Sequence, residues 1–210
     1  MKRGNLIIVS GPSGAGKSAL VGHALAAVDN LEFSVSYTTR APRRNERDGV
    51  EYFFIDRREF ETRIAAGELL EWAEVHGNYY GTSRRFVDDR TGRGTDVILD
   101  IDVQGAGIIR RERPDAVGIF VMPPSFEVLE ERLTRRSLDD AGVIRMRLER
   151  ACGEISRYHE YDYLIVNDGL DAAVRDLEAI IVSTRCRMSA MTGPARTIMD
   201  TFGGTHAENP

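Results

Sequence analysis

The chain has 210 residues and a mass of 23.4 kDa, a length that favours one domain or one core with inserted subdomains. Its composition is 42% hydrophobic, 29% charged and 8% aromatic, which is typical of a soluble globular protein and excludes collagen, a coiled coil and wholesale disorder. The net charge of −5 argues against a general attraction to nucleic acid, although nearly all of the basic residues are arginines, whose planar donor groups suit phosphates and carboxylates.

No segment predicts insertion into a membrane or export. Apolar runs such as residues 6–9 are far shorter than the ~20 residues that a membrane span needs. Residues 1–5 are followed by no secretory hydrophobic region. Cys152 and Cys186 form neither a disulfide framework nor a metal quartet. We therefore expect a cytoplasmic protein with no membrane partner.

The first segment predicts a buried strand, a glycine-rich turn and a helix in direct succession. Residues 6–10 begin with an unbroken apolar run of the kind found at the centre of a parallel sheet. Residues 11–16 form the glycine-rich turn, and apolar side chains then recur at helical spacing from residue 17 to about residue 28.

The next segment, residues 33–85, predicts an insert with its own small sheet. Alternation at Phe33 and Val35, and the run at residues 52–55, predict short strands on either side of a polar, basic loop. Residues 57–66 fit a helix, and Gly67 is a suitable residue to end it.

The remaining chain alternates strands with helices, which predicts a parallel α/β sheet flanked by helices. The predicted strands cover residues 97–102, 118–122 and 163–167, and the predicted helices cover residues 104–111, 126–135, 143–158 and 170–187. Residues 188–210 show no clear periodicity and are expected to be partly disordered.

The glycine-rich turn fits the motif G-x-x-x-x-G-K-[ST] without a mismatch. Its members are Gly11, Pro12, Ser13, Gly14, Ala15, Gly16, Lys17 and Ser18. In such a loop, backbone N–H groups and the following helix N-terminus face a phosphate, the lysine reaches the β- and γ-phosphates, and the hydroxyl ligates Mg²⁺. The motif predicts a site for a purine triphosphate with Mg²⁺ and leaves the acceptor open.

The basic loop of the insert carries a cluster of arginines. The cluster consists of Arg40, Arg43, Arg44 and Arg47. Bidentate arginine contacts suit a phosphomonoester dianion, and the hydroxyls of Tyr52 and Tyr80 would add donors to the same group. A solvated basic loop is the other interpretation of these residues, and we favour it for Arg44 and Arg47.

Around this cluster the sequence resembles the guanylate kinase family. The signature T-[ST]-R-x-x-[KR]-x-x-[DE]-x-x-G-x-x-Y-x-[FY] is matched by Thr38, Thr39, Arg40, Arg43, Glu46, Gly49, Tyr52 and Phe54. Further matches lie at residues 67–73, 77–82, 99–105, 123–125 and 165–168. The resemblance extends over about residues 6–181. It implies an α/β fold with a parallel-sheet core of the P-loop NTPase type, flanked by helices, a small mixed-sheet GMP-binding insert and a helical lid.

The resemblance also implies a division of the chain. A guanylate kinase-like domain would cover residues 1–187, followed by a C-terminal tail at residues 188–210. The core would comprise about residues 1–33, 95–125 and 151–187, the GMP-binding insert about residues 34–94, and the lid about residues 126–150.

The activity that the resemblance implies is transfer of the γ-phosphoryl group of ATP to GMP, and also to dGMP, with Mg²⁺, giving ADP and GDP. ATP and GMP would be the partners of a monomer or homo-oligomer. The phosphate loop would bind ATP together with Arg136 and Asn167, and Ser18 would ligate the metal. The catalytic side chains would be Lys17, Arg40, Arg132, Arg136 and Arg147, whereas Arg135, Arg145 and Arg150 are expected on a solvated helix face.

By the same resemblance, GMP would bind in the insert. Its phosphate would contact Arg40, Arg43, Tyr52 and Tyr80, and its base would contact Ser36, Glu71 and Thr82. Gly81 would also belong to the GMP site, and Asp100 and Asp102 would lie near the acceptor or the metal. The chemistry of Glu71 supports this, because one carboxylate matches the adjacent N1–H and 2-amino donors of guanine. Adenine has an unprotonated N1 there, and leaving a polar group unpaired typically costs several kcal/mol.

Three departures from the family pattern stand out. Residues 135–140 lack its Arg-Gly step, Tyr37 replaces a small residue beside Ser36, and Ala19 replaces the usual threonine.

Two other functions also remain open. A sugar-phosphate or ribose-bisphosphate kinase would not need the base-reading set, and a non-catalytic interaction module would not need the intact phosphate loop.

Overall fold

The computed structural model describes residues 3–75, 77–136 and 141–202, except for the side chains of residues 136 and 141. The strands of this part are β1 (Leu6–Ser10), β2 (Leu31–Phe33), β3 (Tyr37–Thr38), β4 (Phe53–Phe54), β5 (Leu69–Val75), β6 (Asn78–Ser83), β7 (Asp96–Asp100), β8 (Val117–Met122) and β9 (Tyr163–Val166). The helices are α1 (Lys17–Ala27), α2 (Arg57–Ala65), α3 (Arg84–Gly92), α4 (Val103–Glu112), α5 (Phe126–Arg136), α6 (Ala141–Ile155), α7 (Leu170–Thr184) and α8 (Met188–Thr201).

The core of the molecule is a five-stranded parallel sheet in the order β2-β7-β1-β8-β9. Its central strand β1 is buried throughout, as expected for a strand covered by helices on both faces. The chain continues from β1 to β2 on one side and reaches β8 on the other, so the strand order reverses around β1. Such a reversal opens a crevice at the carboxyl ends of the strands.

Helices cover both faces of this sheet. Leu20 of α1 and Leu177 of α7 are buried in an apolar cluster on one face, together with strand residues such as Ile7. Val87 of α3 and Ile109 of α4 lie in a second cluster on the opposite face. The resulting three layers confirm the predicted α/β fold.

A second, mixed sheet follows the order β4-β3-β6-β5. Strands β3 and β4 are parallel, whereas β6 is antiparallel to both β3 and β5. Leu70 of β5 packs into the cluster around α3 and α4, which anchors this sheet to the core. The prediction of an insert strand through Phe33 was wrong, because Phe33 belongs to β2 and pairs with Ile98 of the core sheet.

Helices α5 and α6 share a small apolar core of their own. Leu129 and Leu133 of α5 pack there against Leu148 and Ala151 of α6. This pair occupies the region that the resemblance assigns to a lid, and the boundaries of core, insert and lid stay predictions. The departure at residues 137–140 lies outside the described residues.

The last helix differs from the sequence expectation. Within residues 188–210, expected to be partly disordered, residues 188–201 form α8, with Pro194 inside the helix. No residue of α8 is buried, and Met188 and Phe202 at its two ends are about 80% exposed. Residues 203–210 lie outside the described part. None of the described helices is long and apolar enough to cross a membrane.

Candidate functional site

A cavity of about 440 Å³ opens between the carboxyl edge of the parallel sheet and the second sheet. The phosphate loop contributes Gly11, Ser13, Gly14, Gly16, Lys17 and Ser18 to its wall. The second sheet and its loops contribute Ser36, Arg43, Tyr52, Glu71, Ala73, Val75 and Tyr80. The end of β7 contributes Asp100, Ile101 and Asp102, and α6 contributes Arg147, Arg150 and Glu154. The cavity therefore joins the two predicted nucleotide sites.

The phosphate loop connects β1 to α1 and takes its shape from glycine. Gly16 precedes α1 with a φ of 94°, a conformation that side-chain-bearing residues rarely adopt. A Cβ on Gly16 would lie 2.3 Å from Nδ2 of Asn167, which itself donates a hydrogen bond of 2.8 Å to the carbonyl of Ala15. Asn167 thus supports the loop from behind, and Pro12 and Ala15 are buried within it.

Two polar side chains at the start of α1 face the cavity. Nζ of Lys17 donates to the carbonyls of Gly11 at 2.7 Å and Pro12 at 3.3 Å, so the ammonium group lies across the loop. Oγ of Ser18 donates to Oδ2 of Asp100 at 2.7 Å. A hydroxyl and a carboxylate are the oxygen ligands that Mg²⁺ takes from proteins when substrate phosphates and water supply the rest.

Glu71 is a carboxylate buried in the wall of the cavity. It is 5% exposed, and its Oε1 accepts a hydrogen bond of 2.6 Å from Oγ1 of Thr82, its partner across the β5–β6 pair. Burial raises the pKa of Glu71 to about 7, the hydrogen bond from Thr82 opposes the rise, and the charge of Asp102 adds to it. A carboxylate in this state gains from a ligand that brings hydrogen-bond donors.

Glu46 holds two members of the arginine cluster, Arg40 and Arg43, in place. Oε1 of Glu46 accepts a bond of 2.8 Å from Nη2 of Arg40, and Oε2 accepts one of 2.8 Å from the backbone N–H of Arg43. The bond from Arg40 lowers the pKa of Glu46, so the pair is charged at neutral pH. The guanidinium of Arg40 lies 5.4 Å from the ring centroid of Tyr52. Arg40 therefore stands behind the side chains that line the cavity.

Two tyrosines complete this end of the cavity. The rings of Tyr52 and Tyr80 meet edge to face with their centroids 5.7 Å apart. Burial raises the pKa of Tyr52, so its hydroxyl keeps its proton and can donate at neutral pH. Arg43, Tyr52 and Tyr80 thus bring donors to one end of the cavity.

Helix α6 closes the cavity from the side. The expectation that Arg150 lies on a solvated face was wrong. Its Nε is 3.1 Å from Oε1 of Glu154, its Nη2 is 3.8 Å from Oδ2 of Asp102, and it lines the cavity. Arg147, Arg150 and Glu154 follow at intervals of three and four residues, which puts them on one helix face. Sequence reasoning missed Glu154, although this spacing could have found it.

Arg132 lies at a second cavity on the other side of the phosphate loop. This cavity, also of about 440 Å³, is lined by Gly14, Gly16, Arg132, Arg135, Asn167 and Leu170. Nη2 of Arg132 donates to the carbonyl of Asn167 at 2.9 Å, while its buried Nη1 has no hydrogen-bond partner in the described part of the chain. Arg132 and Arg147 therefore face different cavities. The side chain of Arg136 lies outside the described residues.

The remaining predicted residues support the cavity wall. Gly81 and Thr82 are buried in β6 behind Glu71. Asp102 begins α4 by accepting hydrogen bonds from the backbone N–H groups of Gln104 at 3.1 Å and Gly105 at 2.9 Å.

Tyr37, the large residue next to Ser36, is not part of the cavity lining. Its ring lies 5.2 Å from that of Phe53, and the guanidinium of Arg63 lies 4.5 Å from its centroid. These contacts accommodate the departure from the family pattern within the second sheet.

Comparisons with known proteins agree with this geometry. A model of the guanylate kinase family matches residues 3–184. The guanylate kinase of Symbiobacterium thermophilum is 51% identical over 185 residues, which are 88% of each chain. That of Koribacter versatilis is 50% identical over 190 residues, covering 89% of this chain and 82% of the other. The crystal structure of the Anaplasma phagocytophilum guanylate kinase is similar with a TM-score of 0.75, 34% identity and coverage of 89% and 88% of the two chains. From the phosphate loop to α7, the chain belongs to the guanylate kinase family.

Proposed function

We propose that this chain transfers the γ-phosphoryl group of ATP to GMP and dGMP, giving ADP and the guanosine diphosphates. The observation that carries the proposal is that the wall of one cavity includes both the phosphate loop and the buried carboxylate of Glu71. Members of the family are ATP-dependent nucleoside monophosphate kinases, and phosphorylation of GMP is the family reaction.

The donor phosphates would lie on the phosphate loop. Backbone N–H groups of the loop and the N-terminus of α1 favour negative charge there. Lys17 already lies across the loop, and its ammonium group would move from the carbonyls of Gly11 and Pro12 to the phosphate oxygens. Ser18 and Asp100 would hold Mg²⁺, which neutralises charge on the donor phosphates.

The acceptor would occupy the end of the cavity formed by the second sheet. Glu71 would accept the N1–H and 2-amino hydrogens of guanine, with Ser36 at the other edge of the base. Arg43, Tyr52 and Tyr80 would donate to the phosphate, with Arg40 adding a second positive charge from behind.

Arginines of α5 and α6 would contact ATP. Arg147 and Arg150 of α6 would stabilise charge on the transferring group. The second cavity would take the base of ATP, because Nη1 of Arg132, which is buried and has no hydrogen-bond partner among the described residues, offers a donor beside Asn167. A role for Arg136 stays a prediction.

The reaction needs positioning and charge neutralisation more than proton transfer. A phosphate oxygen of GMP forms the new bond to the γ-phosphorus, while the bond from that phosphorus to the bridging oxygen breaks and ADP leaves. The attacking oxygen is already an anion, so no general base is required. Closure of the site would keep water from competing as the acceptor.

The two alternative functions find less support. A sugar-phosphate acceptor would leave the buried Glu71 and its Thr82 contact without a function. A non-catalytic interaction module would have no use for Lys17 and Ser18 in the shared cavity.

An ADP-release assay with a panel of acceptors tests the proposal. We expect turnover with GMP and dGMP and at least about 10³-fold lower kcat/KM with AMP, UMP and ribose phosphates, because a site that pairs buried polar groups rejects a mismatched base strongly. Absence of ADP release with GMP, ATP and Mg²⁺ would refute the proposed activity. Equal rates with AMP and GMP would refute the role of Glu71.

A further inference from the structure

The first turn of α4 comes unusually close to Glu71. At Gly105 a methyl carbon would lie 2.6 Å from Oε2 of Glu71 and 3.1 Å from its Cδ. Contacts below 3.0 Å essentially never occur for real Cβ atoms, so a side chain at residue 105 would force one of the two partners to move. Only a hydrogen atom fits between the backbone of α4 and the carboxylate.

Both partners are held in place by hydrogen bonds and packing. Asp102 holds the start of α4 by accepting the N–H of Gly105 at 2.9 Å, and Ala106 and Ile109 are fully buried against the sheet. Glu71 is 5% exposed and bonded to Thr82 at 2.6 Å, so its carboxylate lacks the freedom of a surface side chain.

The backbone itself does not require glycine at this position. Gly105 lies within the regular helix α4 and not in the left-handed region where glycine is favoured. Alanine is also the better helix former, so helical propensity would favour a side chain here. The space beside Glu71 is the feature that a side chain would remove.

We propose that Gly105 is a positioning residue for guanine recognition, whose missing side chain lets Glu71 hold its carboxylate in the orientation that the base requires. This inference rests on the proposed function of Glu71 and deepens it. A carboxylate displaced by a methyl group would meet the two guanine donors at the wrong distance and angle. ATP, which binds at the phosphate loop, would be unaffected.

The variant Gly105→Ala tests the proposal. We expect its KM for GMP to rise about 10- to 100-fold, since misplacement by about 1 Å can cost about 10²-fold in such sites, with an unchanged KM for ATP. The matched control is Gly107→Ala on the same helix, where the one side-chain atom of the described residues near the added carbon is Nη2 of Arg157, at 3.1 Å. This control should stay within about twofold of the wild type, like other substitutions outside special sites.

A second background separates positioning from a general structural effect. Aspartate is shorter than glutamate by one methylene, so Glu71→Asp leaves room for the methyl group. In that background Gly105→Ala should raise the KM for GMP by less than about threefold, although Glu71→Asp alone weakens GMP binding. An equal penalty in both backgrounds, or a wild-type KM in the single variant, would overturn the proposal.

A measurement without substrate makes failure of this inference distinguishable from failure of the proposed function. Carbon-13 NMR of the glutamate carboxyls in the unliganded protein should report a changed titration of Glu71 in Gly105→Ala and an unchanged one in Gly107→Ala. An unchanged titration in both variants would contradict the positioning role even if GMP proved not to be the acceptor. If the wild type proved inactive with GMP while the titration of Glu71 still changed in Gly105→Ala, only the proposed function would be contradicted.

Discussion

At the scale of single residues, the buried carboxylate of Glu71 costs folding free energy. Its hydrogen bond from Thr82 only partly offsets the loss of hydration, and the pKa stays near 7. Such a group at a cavity wall is a feature of functional sites, where stability is given up for recognition.

The substitution Glu71→Gln tests this cost through its pH dependence. The pKa of Glu71 is about 7 in the folded chain, against a reference value of 4.5. At a pH between these two values, Glu71 therefore keeps its proton in the folded protein and loses it in the unfolded protein. The stability of the wild type relative to the glutamine variant should therefore fall by about 3 kcal/mol as the pH rises from about 4.5 to about 8. Urea denaturation at both pH values measures the difference. A difference that does not change with pH would contradict a raised pKa.

The substitution Lys17→Ala separates catalysis from folding. Its ammonium group bonds only to the carbonyls of Gly11 and Pro12 among the hydrogen bonds of the described residues, so its loss should change the free energy of unfolding by less than about 1 kcal/mol. Turnover should fall by more than about 10²-fold, since positive charge on the donor phosphates is lost. Retention of more than a tenth of the wild-type kcat would contradict this role.

At the scale of elements, the strand–loop–helix start of the chain was predictable because each part has a local signal. The apolar run of β1, the glycines and the periodicity of α1 agree with one another. The β5–β6 hairpin was not predicted in detail, because buried Glu71 and half-exposed Trp72 break the alternation expected of a strand. Helix α3 was missed because only Phe86 and Val87 mark its apolar face. Glu71, a candidate functional residue, thus made strand β5 harder to predict from the sequence.

Only part of the candidate site could be predicted from the sequence. The phosphate loop and the cavity residues Arg43, Tyr52 and Glu71 follow from motifs with local sequence signatures. The separation of Arg132 from Arg147 depends on how α5 and α6 pack against the loop, which no local pattern records.

The exposure of α8 leads to a prediction about the stability of a shortened chain. Removal of residues 188–210 should change the free energy of unfolding by less than about 1 kcal/mol, because no residue of α8 is buried. Leu177→Ala in α7 is the comparison, since this fully buried leucine should cost about 2–5 kcal/mol. A truncated chain that loses as much stability as Leu177→Ala would show that α8 contributes to the core.

At the scale of the whole molecule, the site depends on how two sheets meet. The parallel sheet presents the phosphate loop and Asp100 at its carboxyl edge, and the mixed sheet presents Glu71 and Tyr80 opposite them. Helix α6 brings Arg147 to the same space from a separate apolar core. Direct transfer between two nucleotides requires all three parts to contact one cavity.

Binding of a bisubstrate analogue, with adenosine and guanosine joined by five phosphates, tests this arrangement most directly. One molecule should bind per chain, exclude both ATP and GMP, and bind more tightly than either nucleotide, because linking two ligands makes the second contact intramolecular. Glu71→Ala should weaken it, and Lys17→Ala should weaken it through the phosphates. Titration calorimetry that found two molecules per chain, or exclusion of only one substrate, would contradict a shared cavity for donor and acceptor.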